Sequence, residues 1–140
     1  MELLIKRVYD DPDPADGFRV LVDRLWPRGL SKERAAADLW AKDVAPTAEL
    51  RTALHHDGMP WDDFAAAYRA EIAANPAIGA LRAELARHPT ATLLHSVRDA
   101  EHNHAVLLRE ALIGPSRSGP RSGPGSGPGS SGRVGSGRSN

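Results

Sequence analysis

The chain has 140 residues, no cysteine, and 18 Lys+Arg against 18 Asp+Glu, for a formal net charge of zero. That length suits one ordinary domain with a sizeable core better than two. The lack of cysteine excludes disulfides, thiolate metal sites and cysteine nucleophiles together, so any chemistry must come from His, carboxylates, hydroxyls, Arg or Lys.

In chain order, "LLIKRVY" (3–9) and "FRVLVDRL" (18–25) read as short strands, the second almost continuously apolar as a sheet centre requires. "DDPDPADG" between them is too short for an ordinary crossover helix, which leaves their relative direction open. Ser31 is placed to cap a helix over "KERAAAD", and "LWAKDVA" (39–45) reads as a third strand. Thr47, after Pro46, caps a helix reaching about His55. Pro60 suits the first turn of the next helix, where Trp61, Phe64, Tyr68 and Ile72 recur at spacings of three and four. Asn75 and Pro76 end that helix and start another, in which Ile78, Leu81 and Leu85 repeat the pattern until His88-Pro89. "ATLLHSV" (91–97) is the last strand and "RDAEHNHAVLLREALI" (98–113) the last helix, with Asp99 as its N-cap. Strands alternating with helices predict an α/β domain over residues 1–113, built on a small, mostly parallel sheet flanked by helices.

From Gly114 onward the sequence is almost wholly Gly, Ser, Pro and Arg, a composition that cannot repay the entropy of ordering, so 114–140 is expected to be a disordered tail. Four arginines (117, 121, 133, 138) and no acid fall in it, leaving residues 1–113 with 14 Lys+Arg against 18 Asp+Glu, a net charge of −4. Nucleic acid is the partner such a tail would suit, although four dispersed charges make a weak footprint. No apolar run approaches the roughly 18 residues of a spanning helix, and "MELLIKRVYD" turns charged too soon for a secretory leader. The expectation is a cytoplasmic protein with no membrane partner.

Ligands of open α/β sheets bind beyond the carboxyl ends of the strands. Two loops there are crowded with polar residues: Asp23, Arg24, Trp26 and Arg28 after the second strand, and His95, Arg98, Asp99 and His104 after the last. If the strands run the same way, these loops share an edge. His104, Leu108 and Ala111 lie on one stripe of the last helix, which turns His104 toward the sheet. Arg24 and Arg28 have the fork geometry that grips a phosphate or carboxylate. His104, oriented by a carboxylate such as Asp99 or Asp23, is then the candidate general acid or base, with Asp99 as its catalytic partner; Arg24, Arg28, Asp23, Trp26, His95 and Arg98 are the candidate ligand-binding residues. Simpler readings stand beside each of these. His104 can be a core histidine bonded to a backbone carbonyl, the arginines can pair with Asp23, Asp43 or Asp99, and Trp26 can be packing. "HNH" (102–104) does not aim two imidazoles at one ion, since positions i and i+2 of a helix diverge, and no spacing demands a metal, so none is assigned. "HHDGMPW" (55–61) has no Gly-x-Ser-x-Gly elbow to accompany it. The cofactor, the oligomeric state and the reaction, if there is one, stay open at this level.

"IKRVYD" (5–10), "RVLVDRLWPRG" (19–29), "LWAKDVAP" (39–46), the "HD…W..F…Y..E" series (56–71) and "RDAEHNHAVLL" (98–108) resemble, in that order, the YeaO-like branch of the domain-of-unknown-function 488 family. The resemblance spans residues 3–113 and implies a compact α/β domain of unassigned activity. The longer branch of that family has cysteines where this chain has His95 and Asn103, and an arginine where it has Ala105, so no thiol chemistry carries over. Arg98-Asp99 and His104 do match. Three functions follow for weighing: a small enzyme or binding domain for an anionic small molecule, phosphate or nucleotide-like; a nucleic-acid accessory module; and a non-catalytic interaction domain.

Overall fold

The computed structural model describes residues 2–113; the tail assigned to 114–140 lies outside them. Four strands, β1 (Glu2–Arg7), β2 (Phe18–Leu21), β3 (Leu39–Trp40) and β4 (Thr90–His95), form one sheet in the order β1-β4-β2-β3. Every pairing is parallel, so the last strand enters between the first two and settles their direction as the same. Five helices complete the fold: α1 (Lys32–Ala35), α2 (Ala48–His55), α3 (Trp61–Ala74), α4 (Pro76–Leu85) and α5 (His104–Ile113). The α/β architecture anticipated from the alternation of patterns is the one present.

The two faces of the sheet are covered differently. Val20, Val22, Ala91 and Leu93 point to the main core, against Phe64 and Tyr68 of α3, Leu81 and Leu85 of α4, and Leu108 of α5. Leu21 and Leu94, one residue out of phase, point the other way into a small cluster with Val8 and Ala35, as the period of two along a strand dictates. Each fully buried side chain of this size contributes about 1.5–3 kcal/mol relative to exposure. The second face carries irregular chain and the one-turn α1 in place of long helices. A buried polar knot ties it down: Asp16 pairs with Arg19 and with Lys6, and Arg19 also donates to the carbonyls of Ala35 (2.7 Å) and Ala36 (3.0 Å) at the end of α1. Those carbonyls lack helical partners, and Arg19 supplies them. Burial alone would raise the Asp16 carboxyl's pKa, but the Asp13 N–H, Lys6 and Arg19 outweigh it and hold the group below its ordinary range.

Local signals explain most boundaries. Ser31 accepts from Arg34 N and Thr47 from Leu50 N, each capping its helix, and Asn75 accepts from Ala77 N ahead of Pro76. Pro60 stands just outside α3, extended (φ −61°, ψ 146°), as its N-cap and not inside its first turn. The third strand is two residues long where 39–45 reads as one. After Trp40 the chain enters a 3-10 turn over Lys42–Val44, and side chains satisfy the carbonyls at its end and just beyond it: Tyr68 Oη donates to Val44 O, and Arg24 to Ala45 O and Pro46 O. The last helix begins at His104 and not at 98; Asn103 Oδ1 accepts from Val106 N and does the capping read for Asp99.

Candidate functional site

Because β2 and β4 are adjacent and parallel, the loops that follow them open on one edge. They enclose a cavity of about 250 Å³, completed by α2 and α3. Its floor is polar and buried. Asp23 turns out of β2 with Oδ2 accepting from both Ser96 N (3.1 Å) and Ser96 Oγ. The other oxygen, Oδ1, is buried without a hydrogen bond among the described residues and lies 3.4 Å from His104 Nε2. His104 Nε2 donates to Val22 O at 2.9 Å. The first residue of α5 is thus tied to the end of β2, across the floor. Burial lowers the pKa of His104; Asp23 and the Val22 carbonyl oppose that and do not overcome it. The resting imidazole is neutral, with its proton on Nε2.

Cationic side chains stand around the mouth. Arg24 is half-buried and anchored by Nε and Nη2 to Pro46 O (3.0 Å) and Ala45 O (3.1 Å), which leaves Nη1 without a partner among the described residues. Arg28 and Arg51 are exposed, line the cavity, and make no side-chain hydrogen bond or ion pair among the described residues. His55, one turn after Arg51 on α2, also lines it; partial burial and the charge of Arg51 lower its pKa. Among the described residues, three guanidiniums therefore surround a cavity lined by a single carboxylate, Asp23, whose Oδ2 is engaged with Ser96.

Of the eight residues singled out by sequence, Asp23, Arg24, Trp26, Arg28 and His104 line this cavity, whereas His95, Arg98 and Asp99 do not. Asp99 is exposed and accepts from the backbone N–H of Glu101 and His102, bonds that hold its carboxyl below the usual range. The carboxylate beside His104 is accordingly Asp23, not Asp99. His95 is buried under the sheet edge with Nδ1 unpartnered among the described residues, and burial lowers its pKa. Arg98 is exposed. Trp26 donates to Leu30 O at 2.6 Å and meets Trp40 edge-on at 5.4 Å, so its ring is held as packing. Neither Arg24 nor Arg28 forms the acidic pairs considered above; Arg24 uses carbonyls.

Ser96, Arg51, His55 and Asn103 also line the cavity, and the sequence reading does not single them out. Arg51 and His55 are four apart on a well-capped helix and share a face, which is a usable signal; Ser96 follows a strand end, but nothing local distinguishes it. The order of the polar groups limits the chemistry. Asp23 lies between the Ser96 hydroxyl and the imidazole, so His104 cannot take the serine's proton, and the hydroxyl–imidazole–carboxylate order of nucleophilic hydrolases is absent. Among the described residues no group of three or more His, Cys, Asp or Glu is placed to hold a metal ion, and no helix is long and apolar enough to cross a membrane.

The fold and the cavity define a parallel α/β domain with a polar pocket at the carboxyl edge of its sheet. The family profile described as "Inactive DUF488-N3 subclade" matches residues 2–128. Similar proteins include "Uncharacterized protein YeaO" of Escherichia coli (strain K12), 41% identical over 112 residues, covering 80% of this chain and 97% of that one. "Uncharacterized protein Rv3073c" of Mycobacterium tuberculosis (strain ATCC 25618 / H37Rv) is 41% identical over 110 residues, covering 79% of this chain and 92% of that one. No solved structure gives a significant match. The chain belongs to the domain-of-unknown-function 488 family, in its YeaO-like branch.

Proposed function

We propose that the cavity binds an anionic small molecule, phosphate-bearing, through Arg24, Arg28 and Arg51, and that His104 serves binding and not proton transfer. The observation that carries this is the imbalance at the mouth: two exposed arginines without partners among the described residues and a third with a spare nitrogen, around a floor whose one carboxylate is occupied. Guanidinium forks match the oxygens of a phosphate, and a partly enclosed site makes each such bond worth more than in bulk water. The position of Asp23 between serine and imidazole, and the description of the matched subclade as inactive, both favour retention of a ligand over its turnover.

The test is thermal unfolding with inorganic phosphate. Phosphate at a hundred times its dissociation constant stabilises the folded chain by about 2.7 kcal/mol. Arg28→Ala and Arg51→Ala together remove that gain while leaving the melting temperature without ligand nearly unchanged, because exposed, unpaired side chains contribute within roughly 0.5 kcal/mol. A protein indifferent to phosphate, or a double variant that still responds fully, overturns the reading.

A further inference from the structure

We infer that the ligand of this cavity is a compact hydroxylated phosphate monoester, a phosphorylated polyol or small sugar, whose hydroxyls are received by Ser96 Oγ and His104 Nδ1. The inference rests on the anion-site reading and deepens it. Its ground is the direction of the hydrogen bonds in the floor. Ser96 Oγ gives its one proton to Asp23 Oδ2, so toward anything else it can only accept. His104 gives its Nε2 proton to Val22 O, which leaves Nδ1 as a lone pair with no partner among the described residues. Asp23 itself is an acceptor at both oxygens. Asn103, also in the floor, spends one N–H on Asp99 O (2.8 Å) and its oxygen on Val106 N (3.2 Å).

The cavity thus has two chemical halves: donors at the mouth and acceptors at the base. A simple carboxylate or inorganic phosphate answers the mouth and leaves the base facing unpaired lone pairs. A ligand with an anionic head and hydroxyl donors a few bonds away answers both. Leu54, Phe64 and Val97 supply an apolar wall for the carbon skeleton between them. Size restricts the class further, since about 250 Å³ falls below the roughly 300–1,000 Å³ of sites that enclose drug-sized molecules. A nucleotide exceeds that space; a skeleton of three to about six carbons suits it. Burial, which keeps His104 uncharged near neutrality, preserves Nδ1 as an acceptor.

The experiment compares glycerol 3-phosphate with propyl phosphate, which differ in two hydroxyls, alongside inorganic phosphate and adenosine monophosphate, by calorimetric titration of the full chain. Glycerol 3-phosphate binds about tenfold more tightly than propyl phosphate, the scale of one or two net hydrogen bonds. Ser96→Ala narrows the ratio of the two affinities, and Ser96→Thr restores it. Equal affinities for the two esters in the wild-type protein overturn the hydroxyl inference and leave the anion site standing. Adenosine monophosphate binding as tightly as glycerol 3-phosphate overturns the size argument. If inorganic phosphate and both esters all fail to bind, the anion site itself falls.

Discussion

Replacing Asp23 by asparagine keeps the shape of the side chain and changes one charge and one hydrogen-bonding face, so its effect can be worked out from the surrounding donors. In the native floor Oδ2 receives Ser96 N–H and Ser96 O–H, and Oδ1 faces the Nε2–H of His104 at 3.4 Å. An amide has one acceptor and one donor. With its oxygen toward Ser96, its NH₂ opposes the imidazole N–H that is held by Val22 O; with the amide turned over, the NH₂ opposes both Ser96 donors. The first arrangement exchanges the approach of Oδ1 to the imidazole N–H for two facing donors, and the second leaves Ser96 N–H unpaired, at about 1–3 kcal/mol, or roughly 4–15 °C in melting temperature for a domain of this size. Removing the cavity's one negative charge acts in the opposite sense on ligand binding, because a phosphate then meets three guanidiniums without a competing carboxylate. Asp23→Asn is therefore predicted to melt earlier and to bind phosphate more tightly. Circular dichroism melts with and without phosphate read both quantities in one experiment. A melting temperature within about 1 °C of wild type refutes the opposed-donor account, and weakened phosphate binding refutes the charge account.

The folded-state pKa values of His104 and His95 lie below the ordinary 6.5, in both cases chiefly through burial. Between that value and the folded one the unfolded chain binds more protons, so their stabilisation is complete above pH 6.5 and is lost as the pH falls. The urea midpoint at about pH 5.5 should lie below that at pH 7.5, and an unchanged midpoint contradicts the burial of neutral imidazoles. Gly17→Ala drives a Cβ into the backbone carbonyl of Thr90 at φ +66°, so the backbone must shift; we expect about 2–4 kcal/mol of destabilisation from conformation and displaced packing together, measured by chemical denaturation, and a loss under about 0.5 kcal/mol would refute the close approach. Arg19→Met leaves the buried Asp16 carboxylate with only Lys6 and the Asp13 N–H, and strands the two carbonyls at the end of α1. A loss of about 3–5 kcal/mol follows, and a smaller one than Lys6→Met would show that the buried pair is not the anchor.

Much of this arrangement is legible in the residues themselves, and the rest fails to be for identifiable reasons. Ser31, Thr47 and Asn75 announce their helices because capping is a local exchange between one side chain and one N–H. The meeting of the "LVDRLWPRG" loop with the loop after β4 follows from parallel strands, and the alternation of strands with helices implies those. The early end of β3 is not local: it depends on Tyr68 and Arg24, distant in sequence, taking over the carbonyls of Val44, Ala45 and Pro46. Asp99 and Asp23 are likewise indistinguishable by type. Only the pairing of β4 beside β2 brings Asp23 under His104 and leaves Asp99 facing solvent. Ser96 acquires its role from a partner 73 positions away.

The strand order carries a consequence for how the molecule comes into being. Glu2–Arg7 and Phe18–Leu21 both take β4 as a neighbour, and β4 ends at His95. A ribosome delivers both of these segments long before the one that joins them, and among the described residues β1 has no other neighbour in the sheet. Until then β1 is without a partner strand and β2 has only β3, so each leaves an edge of unpaired N–H and C=O groups. A nascent chain arrested ahead of Thr90 therefore lacks the strand that brings the pocket's two loops together, and Glu2–Arg7 stays unpaired until that strand emerges.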